Sequence, residues 1–287
     1  MRALMTLLLV FAVSTAFAAE DAVIVNLTKK ASPRTEVVFE ADVSLVNSAC
    51  KWSFTFWNMR AHESKGRHFQ FRSGNGVTSG YCGLIGSLGL TVNGIGWDKL
   101  QVEPKTVREF SDGDAKGVEF ALNFDGAPIR LRASMRPGSP TLDWEVSSSA
   151  KGLTPVTNVD VRVCAIPSHL DIPNKKTRFF GYRRQVKTDK RLMPPQKGGK
   201  VRLPGDERIF VLEDADFDGT AADSGRGPSA IILPEPVTGY VNLNDSWTTD
   251  VHFTPALTKP FRFSVLEYPE KRFSNSNFEK LVENMFK

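Results

Sequence analysis

The chain reads as an all-β protein: a large antiparallel β-sandwich (supersandwich-like) with one C-terminal α-helix. Three observations predict this. Apolar residues recur with a period of two over most of the sequence. The alternating runs are short and are separated by clusters of Gly, Pro, Asn and Asp. The alternation of helical and strand patterns that a parallel α/β sheet needs does not occur.

The first element is a leader. Arg2 supplies a positive start, Ala3 to Phe17 form an uncharged apolar run, and Ala16-Phe17-Ala18 makes a small-x-small cleavage site ahead of Glu20-Asp21. That order predicts a secretory signal peptide over residues 1–18. The run is shorter than the roughly 20 apolar residues of a membrane span. The expectation is an exported protein, periplasmic or extracellular, whose residues 19–287 form a single β-sandwich domain with no transmembrane segment. An apolar fraction of 41% and a charged fraction of 24% are ordinary for a globular chain. Cys50, Cys82 and Cys164 are the three cysteines. Export permits one disulfide, with Cys50–Cys82 the favoured pairing and three buried thiols the alternative. The lack of a CxxC spacing argues against zinc.

Among the strands, one hairpin can be read residue by residue. Val118, Phe120, Leu122 and Phe124 alternate with polar or small residues. Asp125-Gly126 follows, a pair that favours a type I′ turn, and Ile129, Leu131, Ala133 and Met135 then alternate with Arg130, Arg132, Ser134 and Arg136. A two-residue turn sets Leu122 opposite Ile129, Phe120 opposite Leu131 and Glu119 opposite Arg132, and the buried face admits no other register. Further strands are predicted at Val23–Leu27, Glu36–Val46, Trp52–Trp57, His68–Phe71, Leu142–Val146, Val159–Val163, Ile209–Glu213, Ala230–Leu233 and Phe261–Val265. The stretch 147–152 is a candidate crossing between sheets, and the Gly-rich run Gly74–Gly96 reads as tight turns between short strands. Residues 183–207, with Pro194-Pro195 and Gly198-Gly199, read as a long basic loop. At the end, Ser276 and Glu279 form a capping-box pattern, and Phe278, Leu281, Val282, Met285 and Phe286 make one apolar helical face.

Charge is unevenly placed along a chain whose net charge is +5. Asn174–Leu203 carries eleven bases and one acid, and Asp206–Asp223 carries seven acids and one base. The two blocks either pair with each other or leave a positive surface for a polyanion. Export argues against nucleic acid, so the polyanion would be an acidic polysaccharide. Arg183 and Arg184 lead the basic block as candidate binding residues.

Other candidates are weaker patterns. Asp214, Asp216 and Asp218 with Gly219 match the first half of a calcium loop, but Gly225 stands where the closing Glu belongs, so a solvated acidic turn is the competing reading. No other cofactor is implied. Trp97 and Trp247 sit in turn-rich stretches that suit sugar stacking. Asp143 and Glu145 share a strand face beside Arg130 and Arg132, the arrangement either of a carboxylate pair for glycoside chemistry or of a salt-bridge ladder. His62, His68 and His169 fit no metal spacing, and His252 reads as structural. No GxSxG elbow, P-loop or dinucleotide fingerprint is present.

The segment Gly117–Val146, with its FDGAPIRLR hairpin and TLDWEV strand, resembles sandwich segments of galactose-mutarotase-like proteins. The resemblance implies the supersandwich fold and an association with carbohydrate. It carries over no catalytic residues, because the histidine loop of that family finds no counterpart here. The sequence thus points to a glycan-binding or accessory protein. The alternatives are a glycan-active epimerase, hydrolase or lyase, and an envelope protein that uses its helix or basic block for docking.

Overall fold

The computed structural model of the chain describes residues 22–30, 37–60, 69–75, 85–148, 154–165, 184–194, 199–215, 228–243, 249–267 and 275–284. Within them the strands run in the order β1 (Ile24–Lys30), β2 (Val37–Val46), β3 (Lys51–Met59), β4 (Phe69–Asn75), β5 (Ile85–Val92), β6 (Ile95–Gly96), β7 (Arg108–Asp112), β8 (Ala115–Phe124), β9 (Ala127–Met135) and β10 (Thr141–Ser148). They continue with β11 (Val159–Ala165), β12 (Arg184–Thr188), β13 (Leu192–Met193), β14 (Lys200–Leu203), β15 (Ile209–Asp214), β16 (Ser229–Ile232), β17 (Gly239–Leu243), β18 (Thr249–Phe253) and β19 (Phe261–Glu267), followed by helix α1 (Asn275–Asn284).

The strands stack as the alternating pattern requires. One layer is a nine-stranded sheet ordered β13-β12-β15-β16-β19-β10-β9-β8-β7. The other is made of a four-stranded sheet, β1-β2-β3-β4, and a six-stranded sheet, β14-β17-β18-β11-β5-β6. β4 packs beside β5, which brings these two sheets together. Among the described residues every ladder is antiparallel, so the all-β sandwich expected from the sequence is the observed fold. Inward-facing aromatics join the layers: Phe56 stacks on Phe120 at 4.9 Å, Phe54 meets Trp144 at 5.8 Å, and Phe253 meets Phe210 edge-on at 5.4 Å. Rings of this size each bury a large apolar area, which is the main driving force for closing the layers.

The 118–135 hairpin has the expected register, with Leu122 paired to Ile129, Phe120 to Leu131 and Glu119 to Arg132. Asp125 and Gly126 both take positive φ (52° and 86°), as a type I′ turn demands. The chain passes from one layer to the other after β10, where the sequence suggests a crossing. Helix α1 begins at Asn275, so Ser276 lies inside it rather than ahead of it as a cap. Phe278 and Val282 bury their side chains against Val211, Ala230, Ile232 and Leu266 on the outward face of the nine-stranded sheet. Among the described residues no helix is long and apolar enough to cross a membrane.

Two expectations are corrected. Residues 183–207 are not a long loop: they contain β12, β13 and β14. The misreading has a physical cause, because Arg184 occupies an inward position on β12, two residues before Val186, and breaks the apolar rhythm. The described part of the Gly-rich run holds the end of β4, then β5, the tight Asn93-Gly94 turn and the short β6, in keeping with turns between short strands. The leader and Cys82 lie outside the described residues. Cys50 is a thiol rather than half of a disulfide, with Sγ 3.8 Å from the Ser139 carbonyl it donates to, and burial pushes its pKa up to about 11 against the pull of a Trp52 hydrogen bond.

Candidate functional site

The residues that face away from the core on the nine-stranded sheet fall into rows set by strand register. One row runs Arg108, Glu119, Arg132, Glu145, Arg262 across β7, β8, β9, β10 and β19, alternating in sign at every step. The next row runs Phe110, Gly117, Ser134, Asp143, Ser264, Ile232 and continues onto β16. The first row carries long charged side chains, and the second is small through its middle. Side by side they leave a depression of about 510 Å³, open to solvent, over the second row. Arg132, Glu145 and Arg262 form one wall. Arg136 and Asp112 lie on the other side, and Arg208, Leu233 and Pro234 close the end nearest β16.

The charged row is tightly joined. Arg132 Nε donates to Glu119 Oε2 at 2.8 Å and Arg108 Nε donates to Oε1 at 2.6 Å. Burial by itself would raise the Glu119 carboxyl, but its hydrogen bonds to Arg132 and Arg108 and their charges outweigh that and hold it below the ordinary carboxylate value. Arg132 also lies over the Phe110 ring, 4.7 Å from its centroid. Glu145 accepts from Arg262 Nε at 2.9 Å, with Arg130 at 3.8 Å on its other oxygen. Asp143 accepts from Ser264 Oγ at 2.6 Å and Thr141 Oγ1 at 3.3 Å. Both carboxylates are already held by donors, so the reading of Asp143 and Glu145 as a salt-bridge ladder describes them better than a general acid facing a nucleophile.

The guanidiniums are less completely used. Arg136 is exposed and reaches Asp143 and Asp114 only at 3.9 Å. Arg208 is exposed and its side chain has no partner among the described residues. Arginine presents several donors in a fixed plane, which suits paired oxygen acceptors. The depression therefore offers fixed donors on its rim, hydroxyls and a carboxylate on its floor, and one aromatic ring at its end.

The sequence-predicted residues divide. Arg130 and Arg132 belong to this surface. Arg184 does not: it is 2% exposed, on β12, directly across the ladder from Asp214. Asp214 is the buried last residue of β15. Trp97 is 8% exposed and packs against Phe71 at 5.6 Å, so it is a core ring and not a stacking platform. Its neighbours in sequence are polar, but the short 3-10 turn Trp97–Lys99 points it inward. Arg183, Trp247, Asp216, Asp218, His62, His68 and His169 lie outside the described residues. Sequence reasoning missed Arg208, Arg262 and Ser264 as site residues, and did not single out Arg136. Of these Arg136, Arg262 and Ser264 carried a signal, their outward phase along a recognised strand pattern, and Arg208 carried none.

The described parts of the two charge blocks meet each other. β12 pairs with β15, Arg191 Nε donates to Glu207 at 2.7 Å, and Lys187 pairs with Glu279 of the helix. The described members of the basic block are thus paired in part: Arg191 and Lys187 meet carboxylates, while Lys190, Lys200 and Arg202 are exposed with no carboxylate partner among the described residues.

Neither the known protein families nor the curated proteins provide a match to this chain. Among solved structures, the chain is similar to the crystal structure of 4-alpha-glucanotransferase from Thermococcus litoralis, with 8% identity and a TM-score of 0.39 over 84% of this chain and 38% of that one. The chain thus spans well under half the length of that structure.

Proposed function

We propose that this chain is an exported, carbohydrate-associated protein, periplasmic or extracellular, that binds a saccharide in the depression on its nine-stranded sheet. The observation that carries the reading is the row of small polar residues, Gly117, Ser134, Asp143 and Ser264, beside a row of alternating guanidiniums and carboxylates. A sugar presents hydroxyls that both donate and accept, and this surface places donors and acceptors within one ring-sized space. A volume of about 510 Å³ is in the range of small-ligand sites. The groups are fixed by mutual ion pairs on paired strands, so little ordering is lost when a ligand arrives. The leader pattern supports export, and the resemblance of Gly117–Val146 to galactose-mutarotase-like segments supports the ligand class. Binding is favoured over hydrolysis because Asp143 and Glu145 are each engaged by donors. The surplus of Arg136 and Arg208 favours a saccharide that carries acid groups.

A glycan array that includes uronic-acid and sulfated glycans, followed by calorimetry on any hit, tests this reading. The expected result is a hit whose affinity falls at least about tenfold in Ser134→Trp, which fills the depression, and in Arg136→Ala, each losing more than one hydrogen bond's worth of contact. An array without hits, or a hit insensitive to both substitutions, overturns it.

A further inference from the structure

One edge of the nine-stranded sheet is β7, Arg108-Glu109-Phe110-Ser111-Asp112. It pairs with β8 on one side, and among the described residues no strand pairs with its other side. Gly113 and Asp114 form a two-residue turn between Asp112 and its partner Ala115. Such a turn is closed by a hydrogen-bonded pair, so Asp112, Phe110 and Arg108 direct their N–H and C=O groups to β8. Bonding alternates along an antiparallel strand, which leaves the N–H and C=O groups of Glu109 and Ser111 pointing outward. An open row of this kind is a template for another strand.

The side chains of this edge complement themselves. A second β7 laid antiparallel to the first, about a two-fold axis at Phe110, brings Glu109 opposite the partner's Ser111. Their outward groups then bond each other, roughly four hydrogen bonds in all. Arg108 comes opposite the partner's Asp112, and Phe110 opposite the partner's Phe110. These are the non-hydrogen-bonded positions, where side chains approach most closely across a ladder. Asp112 is exposed and has no ion-pair partner among the described residues. The Arg108 side chain is 70% exposed although it holds Glu119, so its guanidinium can serve a second carboxylate. Phe110 is half-buried, beside Gly117 and under Arg132, and a facing ring would cover more of it.

The other sheet edges lack this match. The same two-fold pairing of β1 sets Ile24 against Lys30 and Val25 against Lys29. β14 carries Lys200 and Arg202 and no acid. β6 and β13 have two residues each, and β4 lies beside β5.

We propose that β7 is a self-association edge, through which a second copy of this chain extends the nine-stranded sheet across a two-fold axis. The axis stands normal to the sheet, so both depressions open on the same side. The alternation of sign along the charged row runs on from Arg108 into the partner's Asp112. The rows of small polar residues meet where Phe110 faces the partner's Phe110. Each depression thereby gains the partner's Arg108 and the partner's Phe110 at its β7 end. The pairing needs no bound saccharide, so it stands or falls apart from the ligand reading.

Sedimentation equilibrium of the full chain tests the proposal. A five-residue ladder makes a small interface, so loading concentrations should run from about 1 µM to 1 mM. The expected result is a reversible monomer–dimer equilibrium. Asp112→Arg sets cation against cation at both symmetry-related contacts, and Arg108→Asp sets acid against acid. Each should weaken the dimer at least about tenfold. Mixed in equal amounts, the two variants regain opposite charges at both contacts, and the mixture should dimerise as the parent does. The two-fold axis also places residue 110 against itself. Phe110→Cys should therefore form an intermolecular disulfide, and neither the parent nor Ser111→Cys should. Should Arg108→Asp fail to fold, Asp112→Arg and the Phe110→Cys cross-link decide. A monomer at every concentration would leave this edge to a strand of another protein and overturn the proposal. A dimer indifferent to Asp112→Arg, or one in which Phe110→Cys does not cross-link, would place the contact elsewhere and overturn it as well.

Discussion

Arg184 on β12 stands directly across the ladder from Asp214 on β15, and both are buried. The head of the basic block and a member of the acidic block thus meet inside the sandwich rather than on its surface. Removing one charge of such a pair strands the other in a poor solvent and costs about 3–5 kcal/mol, whereas replacing both with apolar groups is close to neutral. Arg184→Leu should therefore lower the free energy of urea unfolding by roughly that amount, and Arg184→Leu with Asp214→Leu should recover most of it. Equal losses in the single and double variants would show that the two charges do not depend on each other.

Glu119 is expected to contribute stability that depends on acid. Its carboxyl is held below the ordinary value of 4.5 in the folded chain, because Arg132 and Arg108 outweigh the effect of burial. A lowered folded-state value means that the contribution is fully present above the unfolded-state value and is lost as the pH falls through the folded-state value. Unfolding midpoints measured from pH 7 downward should therefore fall more steeply in the parent protein than in Glu119→Gln. Parallel curves would mean that the two guanidiniums do not stabilise the charged form.

The hairpin carrying Glu119 was legible because local and global signals agree there. Asp125-Gly126 can adopt the required positive φ, and the inward residues from Val118 to Phe124 and from Ala127 to Met135 are apolar. Where an inward position holds a charge, as at Arg184, the same reasoning loses the strand. The candidate site was only half legible for a different reason. Its rows are built from residues far apart in the chain, such as Asp143 and Ser264, and outward polar residues on any one strand look like an ordinary solvated face. The Asp160–His252 pair is hidden in the same way. Val251-His252-Phe253 shows that His252 faces away from the core, but nothing local shows that β11 brings Asp160 beside it.

Glu213 runs the opposite way to Glu119. It faces the helix side of the nine-stranded sheet, where burial raises its carboxyl, Gln185 and Lys187 pull it down, and Glu279 and Asp214 add to the rise. One oxygen accepts from Gln185 at 2.5 Å and the other is buried without a hydrogen bond. A raised folded-state value gives stability that is complete below the unfolded-state value and is lost as the pH climbs through the folded-state value. Glu213→Gln should therefore stabilise the protein at neutral pH by about 1 kcal/mol and leave it unchanged in acid. A uniform loss at every pH would show that the carboxylate is needed in its charged form.

Phe278 is the anchor of helix α1 and is fully buried among Val211, Ala230, Ile232 and Leu266. Phe278→Ala should cost about 3–5 kcal/mol of packing. Because these contacts join the helix to one face of a sheet whose other face is the main core, the loss should be local. Amide exchange should accelerate over Asn275–Asn284, while protection in the 118–135 hairpin stays near its parent value. Uniform loss of protection would mean that the helix and the sandwich unfold as one unit.

Gly239 offers a test of how closely β17 and β18 approach each other. It opens β17 and pairs with Phe253, and a Cβ there would come within 1.9 Å of the His252 carbonyl oxygen. That contact is with backbone, which cannot step aside as the tip of a side chain can. Gly239→Ala should therefore push β17 away from β18, at a cost comparable to other severe steric changes, a few kcal/mol. The displacement would separate Tyr240 from His252, whose rings sit 4.2 Å apart across the same two strands. Unfolding midpoints and the ring-current shifts of the His252 protons should change together. Gly113→Ala serves as the control, since its added Cβ meets no atom within 4 Å and only its positive φ of 62° is strained. It should cost about 1 kcal/mol and leave the His252 signals in place. If Gly239→Ala behaved like this control, the close approach of β17 to β18 would be refuted, and with it the stacking of Tyr240 on His252.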